Sequence, residues 1–179
     1  MKKTLLSAVM IASFGIAALA SLSVQAASSG TINFTGKVLA DTCTINVNGS
    51  TTSTVALPTV MTAAFGSTAG TVAGATPFTI ALTGCDPNTT SAKMAFSGTQ
   101  VDSGTGNLKN ATTGGSNVEI QLLNSSSAAI NTSSQANAPT IAVANSSGST
   151  SLTAQYISTA SATTAGLVTS FVGFTLTYQ

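Results

Sequence analysis

The chain has 179 residues, with five lysines, four acidic residues and no arginine, histidine or tryptophan. So few charges exclude a basic patch for nucleic acid or anionic lipid, so no nucleic acid is expected among its partners. The usual general bases and oxyanion clamps are also missing, and the four acids have no catalytic spacing, so the chain is not expected to be an enzyme or to hold a cofactor.

The first segment has the layout of a secretory signal peptide. Lys2 and Lys3 supply the positive start, an apolar stretch runs from Leu5 to Leu22, and Val24, Gln25 and Ala26 give a small-x-small cleavage site. The rival is a membrane anchor, but no charged stop-transfer flank follows. Cleavage after Ala26, with Ala27 as the alternative, assigns residues 1–26 to the signal peptide. The remainder suits one domain and keeps Lys37, Lys93 and Lys109 against Asp41, Asp86, Asp102 and Glu119.

Next comes an alternating run from Gly30 to Val47. Ile32, Phe34, Gly36, Val38 and Ala40 share one parity, with Asn33, Thr35 and Lys37 on the other. Cys43, Ile45 and Val47 continue the alternation, and Asn48-Gly49 is a hairpin-turn signal. Thr54 to Met61 reads as an edge or interrupted strand because it contains Pro58. Ala63 to Thr76 reads as a loop, with a turn of helix expected within Val60 to Phe65.

Phe78, Ile80 and Leu82 alternate up to Gly84-Cys85, and Asp86-Pro87-Asn88 is a turn. Met94 and Phe96 mark a short strand, followed by turns at 102–106 and 113–117. Further strands are read at Val118 to Leu122, at Ile141 and Val143, and at Leu152 to Tyr156. The last run, Leu167 to Gln179, puts Val172, Phe174, Leu176 and Tyr178 on one face. Many short strands and no sustained helical period predict an all-β sandwich or barrel.

An exported chain with two cysteines, Cys43 and Cys85, is expected to join them in a disulfide, worth about 4 kcal/mol in the chain-entropy model. A two-ligand metal site is the alternative, with no histidine or acidic cluster to complete it. The run from Ile32 to Ala40 also admits two readings. It is either the first strand of the chain's own sandwich or an apolar face that must be buried elsewhere. Burial of Ile32, Phe34 and Val38 is worth roughly 1.5–3 kcal/mol each. Gly36 marks either a bulge or a shallow place in whatever receives the strand.

Taken together, these features resemble the type 1 fimbrial major pilins of the chaperone–usher pathway. The resemblance rests on three motifs in order: the alternating extension with one glycine, the pair Cys43 and Cys85, and the C-terminal strand. That strand has a penultimate Tyr178, alternate Leu176, Phe174 and Val172, and Gly166 fourteenth from the end.

The resemblance implies an incomplete immunoglobulin-like Greek-key sandwich, completed by a donor strand from another subunit. Such donor-strand complementation is an established instance of β-strand addition. Residues 27–41 become the donor-strand extension, through Ile32, Phe34, Gly36, Val38 and Ala40. Residues 42–179 become the pilin domain, whose acceptor groove and chaperone-binding strand carry Gly166, Val172, Phe174, Leu176, Tyr178 and Gln179. The implied partners are other pilin subunits, a periplasmic chaperone and an outer-membrane usher, and the implied location is an extracellular fimbrium reached through the periplasm. The alternatives are a minor tip or adaptor pilin and a single-domain carbohydrate-binding adhesin.

Overall fold

The computed structural model describes residues 33, 35–39, 42–49 and 54–179. The expected signal peptide and the donor residues Ile32, Phe34 and Ala40 lie outside the described residues. Among the described residues there are eight strands, in chain order β1 (Thr44–Val47), β2 (Val72–Thr83), β3 (Ser91–Ser97), β4 (Val118–Leu123), β5 (Ala129–Ile130), β6 (Thr140–Ala142), β7 (Ser147–Ser158) and β8 (Gly173–Tyr178). They form a five-stranded sheet, β1-β2-β7-β4-β5, and a three-stranded sheet, β6-β3-β8. Every strand pairing is antiparallel. The fold is therefore all-β, as the alternation predicts, and no helix among the described residues is long and apolar enough to cross a membrane.

The two sheets meet through the residues of one parity. Leu82 of β2, Met94 of β3, Ile141 of β6 and Leu152 of β7 are almost wholly removed from water, as is Ile130 of β5. Each such side chain contributes roughly 1.5–3 kcal/mol when buried. The opposite parity of the same strands carries Thr, Ser and Lys to the surface, so register is fixed by which face is apolar. Cys43, just before β1, is bonded to Cys85, just after β2. The disulfide therefore closes the outer end of the β1–β2 pair.

Three sequence expectations change. Asn48 and Gly49 do adopt the positive φ of a tight turn, 51° and 73°. However, β1 does not pair with the piece that follows. It pairs with the far half of β2, from Thr44 opposite Thr83 to Val47 opposite Ile80. Asn48 extends that ladder, donating its N–H to the Thr79 carbonyl and accepting the Thr79 N–H on its side chain.

Second, residues 54–60 form no strand. Pro58 lacks an N–H and breaks the run as a ladder partner.

Third, the expected loop at 63–76 contains the start of β2, while the turn of helix expected within Val60 to Phe65 is found as a single 3-10 turn, Thr62–Phe65. A bulge between Ala73 and Thr76 shifts the parity there, which hides the strand from an alternation test. Gly74 stands in that bulge at φ 68°, where a Cβ would come 2.9 Å from the Tyr156 ring.

Candidate functional site: an open groove beside β8

β8 shows how the site arises. Phe174, Leu176 and Tyr178 point inward and are half-buried, while Gly173, Thr175 and Thr177 are exposed. On one flank β8 is laddered to β3, with Phe174 opposite Phe96 and Tyr178 opposite Ala92. Gln179 donates its N–H to the Ser91 carbonyl at 2.9 Å and accepts the Ser91 N–H at 3.3 Å. Bonding alternates along an antiparallel strand, so the odd-numbered residues face β3. The N–H and C=O groups of Phe174, Leu176 and Tyr178 therefore face the other flank, where the sheet ends and no strand lies beside them among the described residues.

Segment 54–60 supplies one wall of the adjoining groove, with Val55 and Leu57 half-buried against the core. A groove of about 590 Å³ separates it from β8. Ile80, Ile120, Leu122, Leu152 and Ala154 line its depth, and Val172, just before β8, and Phe174 of β8 form the other wall. No charged side chain lines it. Tyr156 stands at one end and also lines a second cavity of about 430 Å³, which includes Phe65, Val118, Gly166 and Leu167. Burial raises the Tyr156 phenol above its usual value. Phe171, at the groove, is 60% exposed.

The only side-chain polar groups in the lining are the hydroxyls of Thr54, Tyr156, Thr169 and Ser170. Among the described residues no group of three His, Cys, Asp or Glu side chains is placed to hold a metal ion. What the groove offers is an apolar trough beside a row of unpaired main-chain donors and acceptors. That combination suits a β-strand with one apolar face, because the ladder and the side-chain burial are satisfied together.

The expected site residues fall in several places. Val172 and Phe174 line the groove. Leu176 and Tyr178 continue the same inward face, packed against the core further along β8. Gln179 is stitched to the start of β3, its carbonyl accepting from the N–H groups of Thr90 and Ser91 and from the Thr90 hydroxyl.

Gly166 lines the second cavity rather than the main groove, and it has a packing reason to be glycine. A Cβ there would lie 2.6 Å from the Ser116 nitrogen and 2.8 Å from the Gly115 carbonyl carbon. Of the extension, Gly36 is exposed and Val38 is 95% exposed. Lys37 donates to the main-chain carbonyl of Asn88.

Sequence reasoning missed the opposite wall, Val55 and Leu57, and the place of Tyr156 between the cavities. Their alternation was visible, but nothing local says that such residues border a gap. It also missed Glu119, which is buried and accepts from the Thr105 hydroxyl at 2.9 Å and the Asn107 amide at 3.1 Å. That carboxylate braces the 102–107 loop away from the groove. Asp102 caps the same loop. Its carboxyl is held below its usual value by the N–H groups of Thr105 and Gly104, with a smaller contribution from Lys109.

Residues 32–179 match the fimbrial protein family. The chain is 42% identical to the F17 fimbrial protein of Escherichia coli over 175 residues, covering 92% of this chain and 96% of the relative. It is 39% identical over 163 residues to the major fimbrial subunit SMF-1 of Stenotrophomonas maltophilia strain K279a, covering 86% and 94%. Among solved structures, an antigen and type I fimbria protein of Burkholderia pseudomallei aligns at TM-score 0.56 and 31% identity, covering 83% of this chain and 97% of that one. The P pilus rod subunit PapA aligns at TM-score 0.59 and 20% identity, covering 78% and 100%, which shows a shared fold.

Proposed function

The chain belongs to the fimbrial protein family and is a structural subunit of a surface fimbrium, and from that premise we propose that it builds the rod by donor-strand exchange between identical copies. The observation that carries this reading is the groove: an apolar trough in the core, open beside the unpaired flank of β8. The occupant is residues 27–41 of a neighbouring copy. Its apolar parity of Ile32, Phe34, Val38 and Ala40 would fill the trough, with Gly36 passing a shallow place. Burial of the three larger side chains is worth about 5–9 kcal/mol in transfer terms, reduced by the entropy of ordering the extension. The exposure of Gly36 and Val38 supports an extension that is available to another molecule.

Until it is filled, a trough of this kind leaves Phe78, Tyr156, Val172 and Phe174 only partly buried. Before assembly a periplasmic chaperone would supply a temporary strand along β8, and an outer-membrane usher would oversee its replacement. The signal peptide read over residues 1–26 would direct export to that compartment.

The test is deletion of Ala27 to Ala40 and co-expression of the remainder with a fimbrial chaperone. A soluble one-to-one complex that never assembles is expected, whereas the full chain should form detergent-resistant ladders. A truncated chain that still polymerises would defeat the donor-strand reading.

A further inference from the structure

β3 is held on two flanks. Its odd-numbered residues bond to β8, so its even-numbered residues face the other way. Ala92 lies opposite Ile141 of β6, and Met94 donates its N–H to the Pro139 carbonyl at 3.0 Å. There the strand partner stops, because β6 begins at Thr140 and a proline has no N–H to return. Phe96 is one rung further on.

Gln135 occupies that rung. Its Oε1 accepts the Phe96 N–H at 2.7 Å, and its Nε2 donates to the Phe96 carbonyl at 2.9 Å and to the Thr132 carbonyl at 2.6 Å. A primary amide carries an acceptor and two donors in one plane, so a single side chain can stand in for a strand residue. Gln135 does this from a backbone φ of 64°, a region that residues other than glycine rarely adopt and that persists where the surroundings enforce it.

The rung matters because of the side chain it carries. Phe96 and its cross-strand neighbour Phe174 both line the groove. Where the Phe96 backbone sits therefore sets the depth of the trough at that point. We infer that Gln135 is a positioning residue for strand acceptance: from outside the groove it fixes Phe96, and so sets the side-chain size accepted opposite the Phe96–Phe174 pair. This rests on the donor-strand reading above. A tie that only stabilised the fold would affect every position of the donor alike, whereas a positioning residue acts at one.

The test uses the full chain held by a fimbrial chaperone and challenged with synthetic peptides of residues 27–41. The peptides carry leucine or alanine in turn at the positions of Ile32, Phe34, Val38 and Ala40, and the rate of capture is measured. In Gln135→Ala the leucine-to-alanine preference should change by about tenfold at one position, the scale expected for a pocket that gains or loses room for about one methylene or more. The other positions should stay within about twofold, as distant sites do. Gln135→Glu keeps an acceptor for the Phe96 N–H and should fall between; it carries the test if the alanine variant does not fold. Hydrogen exchange should quicken at the Phe96 amide and not at Met94. Equal change at all four positions, or none, overturns the inference while leaving the donor-strand reading intact. Failure of the unaltered chain to capture any peptide overturns both.

Discussion

The paired strands β3 and β8 are built from similar residues, but the flanks they turn away from each other end differently. On the β3 side every inward-facing rung is covered, by β6, then by the Pro139 carbonyl, then by the amide of Gln135. On the β8 side the rungs of Phe174, Leu176 and Tyr178 have no strand beside them among the described residues. Both strands alternate apolar with small polar residues, so strand propensity does not separate them. What differs is what the chain lays alongside. A bare edge is ordinarily an aggregation hazard. Here it borders an apolar groove, which on the donor-strand reading restricts it to a strand whose apolar parity matches the trough.

The largest expected effect comes from abolishing the asymmetry. Appending residues 27–41 after Gln179 through a short flexible linker would let the chain fill its own groove. The variant should remain monomeric, and its Tm should exceed that of the chaperone-free chain by at least about 10 °C, from the transfer energy and the usual slope for a chain of this size. Calorimetry and ultracentrifugation would check this, and an unchanged Tm would mean that the trough needs no strand.

Side-chain truncation on the two flanks should give the next largest effect. Ile141→Ala, on β6, removes a side chain that is only 1% exposed and should cost about 2–4 kcal/mol whether or not the groove is filled. Leu176→Ala, on β8, removes a half-buried one. It should cost about 1 kcal/mol in the open chain and roughly double that once a donor covers it. Denaturant melts of the open and self-filled forms would measure both, and equal costs for Leu176 in the two forms would break the comparison.

The smallest effect concerns Tyr156 at the end of the groove. Its phenol titrates above the ordinary tyrosine value because burial disfavours the anion. The folded chain thus holds that proton more tightly than the unfolded chain does. This stabilising contribution is complete below about pH 10, the unfolded value, and is lost as pH rises through the folded value. Tyr156→Phe should flatten the loss of stability above pH 10, as read from thermal melts in alkaline buffer.

Much of the fold was legible because parity survives in it. β4, the Leu152–Tyr156 part of β7 and β8 all show a clean period of two, and each is a strand. β5 was not legible, since Ala129–Ile130 is two residues long and carries no period. The early part of β2 was hidden by its bulge, and Pro58 kept 54–60 out of any ladder while leaving it in place as a wall.

The groove itself was only half legible. Alternation in Ile32 to Ala40 and in Val172 to Tyr178 marks strands with an apolar face, but the sequence pattern is the same whether that face is covered from within or from outside. The C-terminal motif pointed to the second case through resemblance, not through residue physics. Gln135 left no sequence signal at all, because its role depends on a strand end that lies 39 positions away.

The scarcity of charge has one more consequence, outside the cell. Proteases that cut after basic residues find nothing between Asn110 and Gln179. Lys93 lies inside β3 with neighbours on both sides, opposite Thr140 and Thr177. The main chain at Lys109 is tied to the Gln100 carbonyl and the Ser170 hydroxyl. Lys37, exposed in the extension, is the accessible cut. On the donor-strand reading proposed above, digestion should therefore strike first at a subunit whose leading segment is still free, and spare a finished filament.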